Sequence, residues 1–321
     1  MASALNNSSS PMSMLSYHAL LLDDETRTKS FIDAISKHIH TDSVLLDIGT
    51  GTGVLAVAAA KMGAKVYAVE RTDMIEFAKA LAKKNNCKIE FIENDIANID
   101  SSSIEPCDIV VSEMLGNVLL DETLITVMKN GKRFLKPDGV LIPCSARFHA
   151  ALAWSPLLEK VSDFWKQERY GIDFSAFIEN VSNDFYPDSS KETKILGEES
   201  FFKDLDLYKM SDEYFEDKVK LSVRENCFAN SILLWWSSKL CEDKELNLGP
   251  RKEWPKQHWY RTLLPITKKE FIANKFYGFT LVYDGKHPMQ IWSWNLDGET
   301  HSTFFSVPPS KKRMENLLDK I

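Results

Sequence analysis

Two glutamates, Glu113 and Glu122, stand nine residues apart in SEMLGNVLLDE, directly after the apolar run CDIVV, which reads as a buried strand. Two carboxylates at one place can clamp a planar cation that presents several N–H donors, and the guanidinium of arginine is the side chain with that shape. Arginine is a poor nucleophile because its charge is delocalised and its pKa exceeds about 12. Carboxylates bound to it hold the positive charge toward the nitrogens they touch. The remaining terminal nitrogen is then better able to attack in line, with orientation and electrostatics supplying most of the rate. The plain alternative is that both glutamates cap a helix or sit on a solvated loop. Their place after a buried strand, at the edge where α/β sheets bind ligands, favours the clamp.

An electrophile to match comes from LLDIGTGTG. Asp47 ends a strand there, and Gly49, Gly51 and Gly53 form a tight turn before the helical stretch VLAVAAAKM. A pyrophosphate-binding loop would carry GxGxxG, but here the sixth position is Val54. The GxGxG form with an acid two residues upstream suits S-adenosylmethionine, whose amino-acid moiety sits by such a loop. At the end of KVYAVE, Glu70 can accept both ribose hydroxyls; taken alone it reads as readily as a surface carboxylate at a strand end. Arg27 can pair with the cofactor carboxylate through its fork, or sit exposed in a local ion pair. Asp24 and His258 gain a role only if the fold joins them, since a lone histidine is more often structural. No metal is needed for this chemistry, because a sulfonium already activates its methyl group.

The elements that must position these residues fall into two textures. From Asp24, DETRTKSFIDAISKHI spaces Phe31, Ile32, Ile35 and Ile39 as on a helix, with acids in the first turn. Residues 44 to 143 then alternate apolar strands (VLLDI, KVYAVE, IEFIEN, CDIVV and, after the turn KPDG, VLIP) with helical stretches. That alternation implies a parallel sheet with helices on both faces. Beyond Pro143 come ARFHAALAW, CFANSILLWWSSKL, RTLLPI, FYGFTLVYD and MQIWSWNL, separated by turn residues, which read as antiparallel strands of a barrel or sandwich. SPLLEKVSDFWKQERYGIDFSAFIENV interrupts them with a helical pattern bearing Trp165, Tyr170, Phe174 and Phe177. The expected organisation is a flexible N-terminus over 1–16, a cofactor domain over 17–143 and a β domain over 144–321 with a helical arm at about 155–190.

Composition agrees with a soluble enzyme. The chain has 321 residues, is 44% hydrophobic and carries a net charge of -7, which argues against a nucleic-acid surface and is compatible with a basic partner. Five scattered cysteines without metal-ligand spacing read as reduced thiols. The polar first sixteen residues have no signal-peptide pattern, and no stretch approaches the apolar length of a membrane span, so a cytoplasmic location is expected.

Taken together, these motifs resemble the protein arginine methyltransferase family from about residue 17 to about residue 300. HALLLDDETR is similar to the family's first-helix motif, with His18, Asp24 and Arg27 in register, and LLDIGTGTG and AVE to its cofactor motifs. SEMLGNVLLDE resembles the double-glutamate loop, YGIDFSAF the dimerisation arm, and QHW the threonine-histidine-tryptophan loop with Gln257 in place of threonine. The resemblance implies an α/β fold: a doubly wound Rossmann-like methyltransferase sheet followed by a β-barrel with an inserted dimerisation arm. It further implies S-adenosylmethionine held by Arg27, His18, Asp47, Gly49, Gly51, Gly53, Glu70 and Asp95. Substrate contacts would come from Glu113, Glu122, Met114 and Trp259, with a supporting His258–Asp24 dyad and a homodimer. The family's tyrosine-rich N-terminal helix has no counterpart in NNSSSPMSM, and Met114, Leu115, Asn117 and Val118 replace the loop's usual aromatics. Leu21 and Leu124 stand where methionines commonly restrict the arginine pocket. Arginine in a protein or peptide is the expected substrate. Free arginine or a small guanidino compound is the alternative, and a catalytically silent dimeric paralogue the rival from another class.

Overall fold

The computed structural model describes residues 11–188, 192–249 and 258–305. Five strands, β1 (Val44–Ile48), β2 (Lys65–Glu70), β3 (Glu90–Glu93), β4 (Cys107–Val111) and β5 (Leu135–Ile142), form a sheet of order β3-β2-β1-β4-β5. Every pairing in it is parallel. β1 is buried along its whole length, Asp47 included, as a central strand covered on both faces must be. The strand order reverses between β1 and β4, so the loops leaving their carboxyl ends open a crevice between them. The glycine turn follows β1 and Glu113 follows β4. Topology alone therefore brings the two motifs to one place.

Two helices approach this crevice from the N-terminal side, α1 (Pro11–Asp23) and α2 (Glu25–His38). The stretch 1–16 was expected to be flexible, yet helix begins at Pro11. Proline suits a first helical turn because its missing N–H has no intrahelical acceptor there. Asp24 separates the helices as the N-cap of α2, its Oδ1 accepting the Arg27 N–H at 2.9 Å. α2 then buries Phe31 and Ile35 of the expected stripe, with Ala34 beside them, while Ile32 and Ile39 are half-buried. A second departure lies in β5, where KPDG was expected as a turn before the strand. The ladder instead runs through it irregularly, from Cys107↔Leu135 to Ile109↔Val140, so the extra residues bulge out of a continuous strand.

Antiparallel sheets occupy the rest. β6 (Ser145–Trp154), Cys227–Cys241 and Arg261–Phe271 form the middle of one sheet, and Tyr214–Leu221, Tyr277–Asp284, Ile291–Leu296 and Glu299–Ser302 form the other. Alternate side chains of both meet in an aromatic core. Phe148 lies 5.4 Å from Phe215 and 5.7 Å from Trp292, and Phe202 lies 5.8 Å from Phe279. The strand Tyr214–Leu221 had no counterpart in the apolar runs, because its outward positions are charged and only Phe215 and Leu221 are fully buried. The interrupting segment is only partly helical. The helices Pro156–Lys166 and Ile178–Ser182 flank a two-stranded hairpin turning at Tyr170 and Gly171, which adopt φ of 57° and 72°.

Candidate active site

The glycine turn is closed from above and from behind. Gly49 and Gly51 adopt φ of 69° and 54°, and a Cβ on Gly51 would come within 2.9 Å of His18 Cε1. Only glycine satisfies both the backbone and the space at position 51. His18 thus carries α1 onto the turn, and burial first, then the Arg27 charge, depresses its basicity despite nearby Glu70. Gly53 is the N-cap of α3 (Val54–Lys61). The Glu70 carboxylate accepts the Gly51 N–H at 3.0 Å and, from Thr72, the N–H at 3.0 Å and the hydroxyl at 2.8 Å. Asp47 is 1% exposed and accepts the Thr50 hydroxyl at 2.6 Å; burial pushes its carboxyl up to about 6. Asp95, beyond the end of β3, is half-buried, caps a short helical turn through the Ala97 N–H at 2.9 Å, and lies 3.4 Å from Arg71.

Across the crevice, Glu113 takes a guanidinium from the chain itself. Arg27 donates from Nε to Glu113 Oε2 at 2.7 Å and from Nη2 to the same oxygen, while Nη1 donates to Leu21 O at 3.1 Å. Both side chains are about nine-tenths buried. The fork of Arg27 is suited by its shape to a cofactor carboxylate. In the structure its fork rests on Glu113, the nearest anion, because a buried guanidinium must be paired. Glu122 keeps an open face to solvent but stands in dense surroundings. Its carboxyl is pushed up to about 8, by burial first, then by Glu113 and Asp121, with Arg27 opposing. The two glutamates are therefore close enough to resist sharing two negative charges.

The loop that carries them is hairpin-like, with Gly116 and Leu119 exchanging backbone hydrogen bonds. Three side chains of the antiparallel unit hold its carbonyls. Trp259 Nε1 donates to Leu115 O at 2.5 Å, Trp236 Nε1 to Gly116 O at 3.0 Å, and the Tyr283 hydroxyl to Leu120 O at 3.2 Å. Trp259 was expected among the substrate contacts, but at 2% exposure it lies beneath the loop as a support. Its indole N–H needs a buried acceptor, and a loop carbonyl supplies one. Met114 likewise sits toward the glycine turn, its Sδ 3.1 Å from where a Gly49 Cβ would lie. His258 and Asp24 meet: Asp24 Oδ2 accepts the His258 N–H at 3.1 Å and pairs with Nδ1 at 3.0 Å. Gln257 lies outside the described residues.

Tyr17 escaped the sequence reading. It precedes His18 on α1 and is 52% exposed, yet the dense surroundings of one side of its ring, then Glu122 and Glu113, push its phenol up to about 12. An aromatic one residue from the histidine over the glycine turn was the available signal. Among the described residues no group of His, Cys, Asp and Glu is arranged to hold a metal ion. The arrangement can bind a guanidinium at two carboxylates, one braced by an internal arginine, beside a glycine cradle flanked by acids.

Comparison with known proteins agrees. Residues 39–199 match the family model of a methyltransferase domain, and residues 144–275 that of the arginine methyltransferase oligomerization subdomain. Protein arginine N-methyltransferase 1 of Schizosaccharomyces pombe is 31% identical over 258 residues, covering 77% of this chain and 75% of its own. The Saccharomyces cerevisiae protein of the same name is 30% identical over 260 residues, covering 77% and 74%. In structure, the Trypanosoma brucei PRMT1 enzyme-prozyme heterotetrameric complex with AdoHcy matches with a TM-score of 0.79 at 22% identity, covering 89% of this chain and 97% of that one. Arabidopsis thaliana protein arginine methyltransferase 10, in a uniquely open conformation, matches at 0.75 and 22%, covering 90% and 98%. At such identity the structural likeness speaks for the fold alone.

Proposed function

Because the chain belongs to the protein arginine N-methyltransferase family, we propose that Glu113 and Glu122 are the carboxylates that hold an arginine of a protein substrate for methylation. The enzyme is an S-adenosylmethionine-dependent methyltransferase acting on a guanidinium nitrogen. The residues present fit that cofactor: the backbone cradle at Gly49 and Gly51 would be filled by a Cβ, and Glu70 stands at the end of the neighbouring strand. When bound, S-adenosylmethionine supplies an electrophilic methyl group on a sulfonium. Gly49, Gly51, Gly53, His18 and Met114 shape its seat, while Asp47 braces the turn through Thr50. Glu70 and Asp95 offer acceptors at the ends of β2 and β3.

Arg27 fixes Glu113 in place and offsets its charge. Glu122 then orients the other edge of the guanidinium, and its raised basicity suits it to take the proton that the attacking nitrogen must lose. His258 and Asp24 act one step back, by anchoring the N-terminus of α2, and hence Arg27, to the antiparallel unit. The observation that carries this reading is the guanidinium of Arg27 seated on Glu113 beside a second carboxylate. The units divide at about residue 143, the antiparallel sheets close as a barrel, and the protein works in the cytoplasm. The match to an oligomerization subdomain and the exposure of Tyr170 and Ile172 on the arm support a homodimer.

The test is Glu113→Gln and Glu122→Gln. Each should lower turnover on an arginine-rich peptide by at least about a hundredfold, the order expected for a lost transition-state contact. S-adenosylhomocysteine binding, measured by calorimetry, should survive. Near wild-type turnover in either variant refutes the clamp.

A further inference from the structure

The double-glutamate loop holds a third carboxylate, that of Asp121. A Cβ built on Gly116 would fall on Asp121 Oδ1, so the carboxylate occupies the space that glycine leaves free. Oδ1 also accepts the Val118 N–H at 3.3 Å, inside the hairpin closed by the Gly116 and Leu119 backbones. Leu119 is held there at φ 61°. Among the described residues no lysine or arginine forms an ion pair with Asp121, and the next residue is Glu122. A carboxylate without a cation beside a second one is costly unless a cation arrives from outside.

We propose that Asp121 is a positioning residue whose charge, seated against Gly116, opposes ionisation of Glu122 until a substrate cation enters, so that the complete clamp forms only around a guanidinium. This deepens the arginine-directed reading and rests on it. The charged groups around Glu122 are Glu113 after β4, Arg27 on α2 and Asp121 itself, and the phenol of Tyr17 on α1 faces the same acids. Asp121 is faced by Tyr283 of the strand Tyr277–Asp284, near Glu213 and Asp284. Among the described residues, Arg27 is the positive group that bears on Glu122, and Glu113 already engages it. Burial holds the Asp121 carboxyl up at about 6, in the same direction as its neighbour.

Asp121→Asn keeps an amide oxygen for Val118 and the volume against Gly116 while removing the charge. Gly116→Ala keeps the charge but evicts the carboxylate from its seat. The ionisation of Glu122 can be followed by carbon-13 NMR of labelled glutamate carboxyls, assigned by the signal lost in Glu122→Gln, and needs no turnover. In Asp121→Asn the titration should move to lower pH by about one unit, the effect of removing one near charge. The acidic limb of the kcat/KM profile on an arginine peptide should move with it. Gly116→Ala should shift both in the same direction, less far, and serves if the asparagine variant does not fold. Unchanged Glu122 titration in a folded variant overturns the proposal, as does a moved titration with an unmoved limb. A wild type that titrates as stated but methylates no arginine refutes the functional reading and leaves the electrostatic assignment standing.

Discussion

Asp24→Ala should destabilise the protein by about 3 kcal/mol, because one buried carboxylate does three jobs. Oδ1 caps α2 through the Arg27 N–H at 2.9 Å, and losing such a cap costs about 1 kcal/mol. Oδ2 accepts from both the backbone N–H and Nδ1 of His258 at 3.1 and 3.0 Å. Asp24 is 2% exposed, and the His258 side chain 13%, so solvent replaces neither partner well. Stranding the backbone donor costs about 1 to 2 kcal/mol, and losing the bond from Nδ1 to a charged acceptor about 1.5 kcal/mol. Relief of the carboxylate's own desolvation returns part of that sum. Burial alone would raise the Asp24 carboxyl, but the hydrogen bonds from His258 and Arg27 outweigh it and hold it below the usual carboxylate range. A carboxyl depressed in the fold contributes stability that is present above the ordinary aspartate value, near 4, and lost as pH falls through the folded value. The difference between wild type and Asp24→Ala should therefore shrink on acidification below about pH 4. Urea unfolding measures it, followed by far-UV circular dichroism for the whole chain and by fluorescence for the second unit, since all eight tryptophans lie beyond residue 143. A double-mutant cycle with His258→Ala should give about 1 to 2 kcal/mol of coupling, because only the Nδ1 bond is then removed. A loss below about 1 kcal/mol, or strict additivity, would refute the reasoning.

Asp47 should act with the opposite sign. Burial raises its carboxyl to about 6, so the fold favours the protonated form and stability should fall as pH rises from about 4 to 6. Asp47→Asn, which keeps an acceptor for Thr50, should flatten the melting temperature across that window; an unchanged slope would count against the burial argument. On the arm, Tyr170 is 94% exposed and Ile172 55%. Changing both to glutamate should convert a dimer to a monomer in light scattering at micromolar concentration, with little change in melting temperature, and a wild type already monomeric would remove the claim.

Local pattern made the parallel sheet legible: unbroken apolar runs ending in Asp47, Glu70 and the loop of Glu113 could be little else than covered strands with a ligand edge. What remained hidden depended on contacts across long stretches of chain. The segment of α1 is apolar nearly all round, so it lacks the striped pattern that announces a surface helix. Arg27 gave no sign of choosing Glu113, 86 positions away, over a ligand. The indole of Trp259 looks like a substrate contact until burial turns it into a support. KPDG reads as a turn because proline and glycine are turn residues, and a bulge uses the same residues without ending the strand.

The three donors that grip the loop between Glu113 and Glu122 have a consequence for how this chain can be rearranged. By covalent order the loop belongs to the parallel sheet, but Trp236, Trp259 and Tyr283 tie its carbonyls to the other unit. The halves are therefore not interchangeable parts. A fragment ending near residue 143 would retain every residue assigned to the cradle and both glutamates, yet it would leave Leu115, Gly116 and Leu120 without their partners. A chimera joining this parallel sheet to a relative's antiparallel unit would keep the loop's geometry only if indole and phenol donors arrived at the same three carbonyls. The geometry of the double-glutamate loop thus depends on residues more than a hundred positions downstream of the glutamates, in a unit that supplies neither of them.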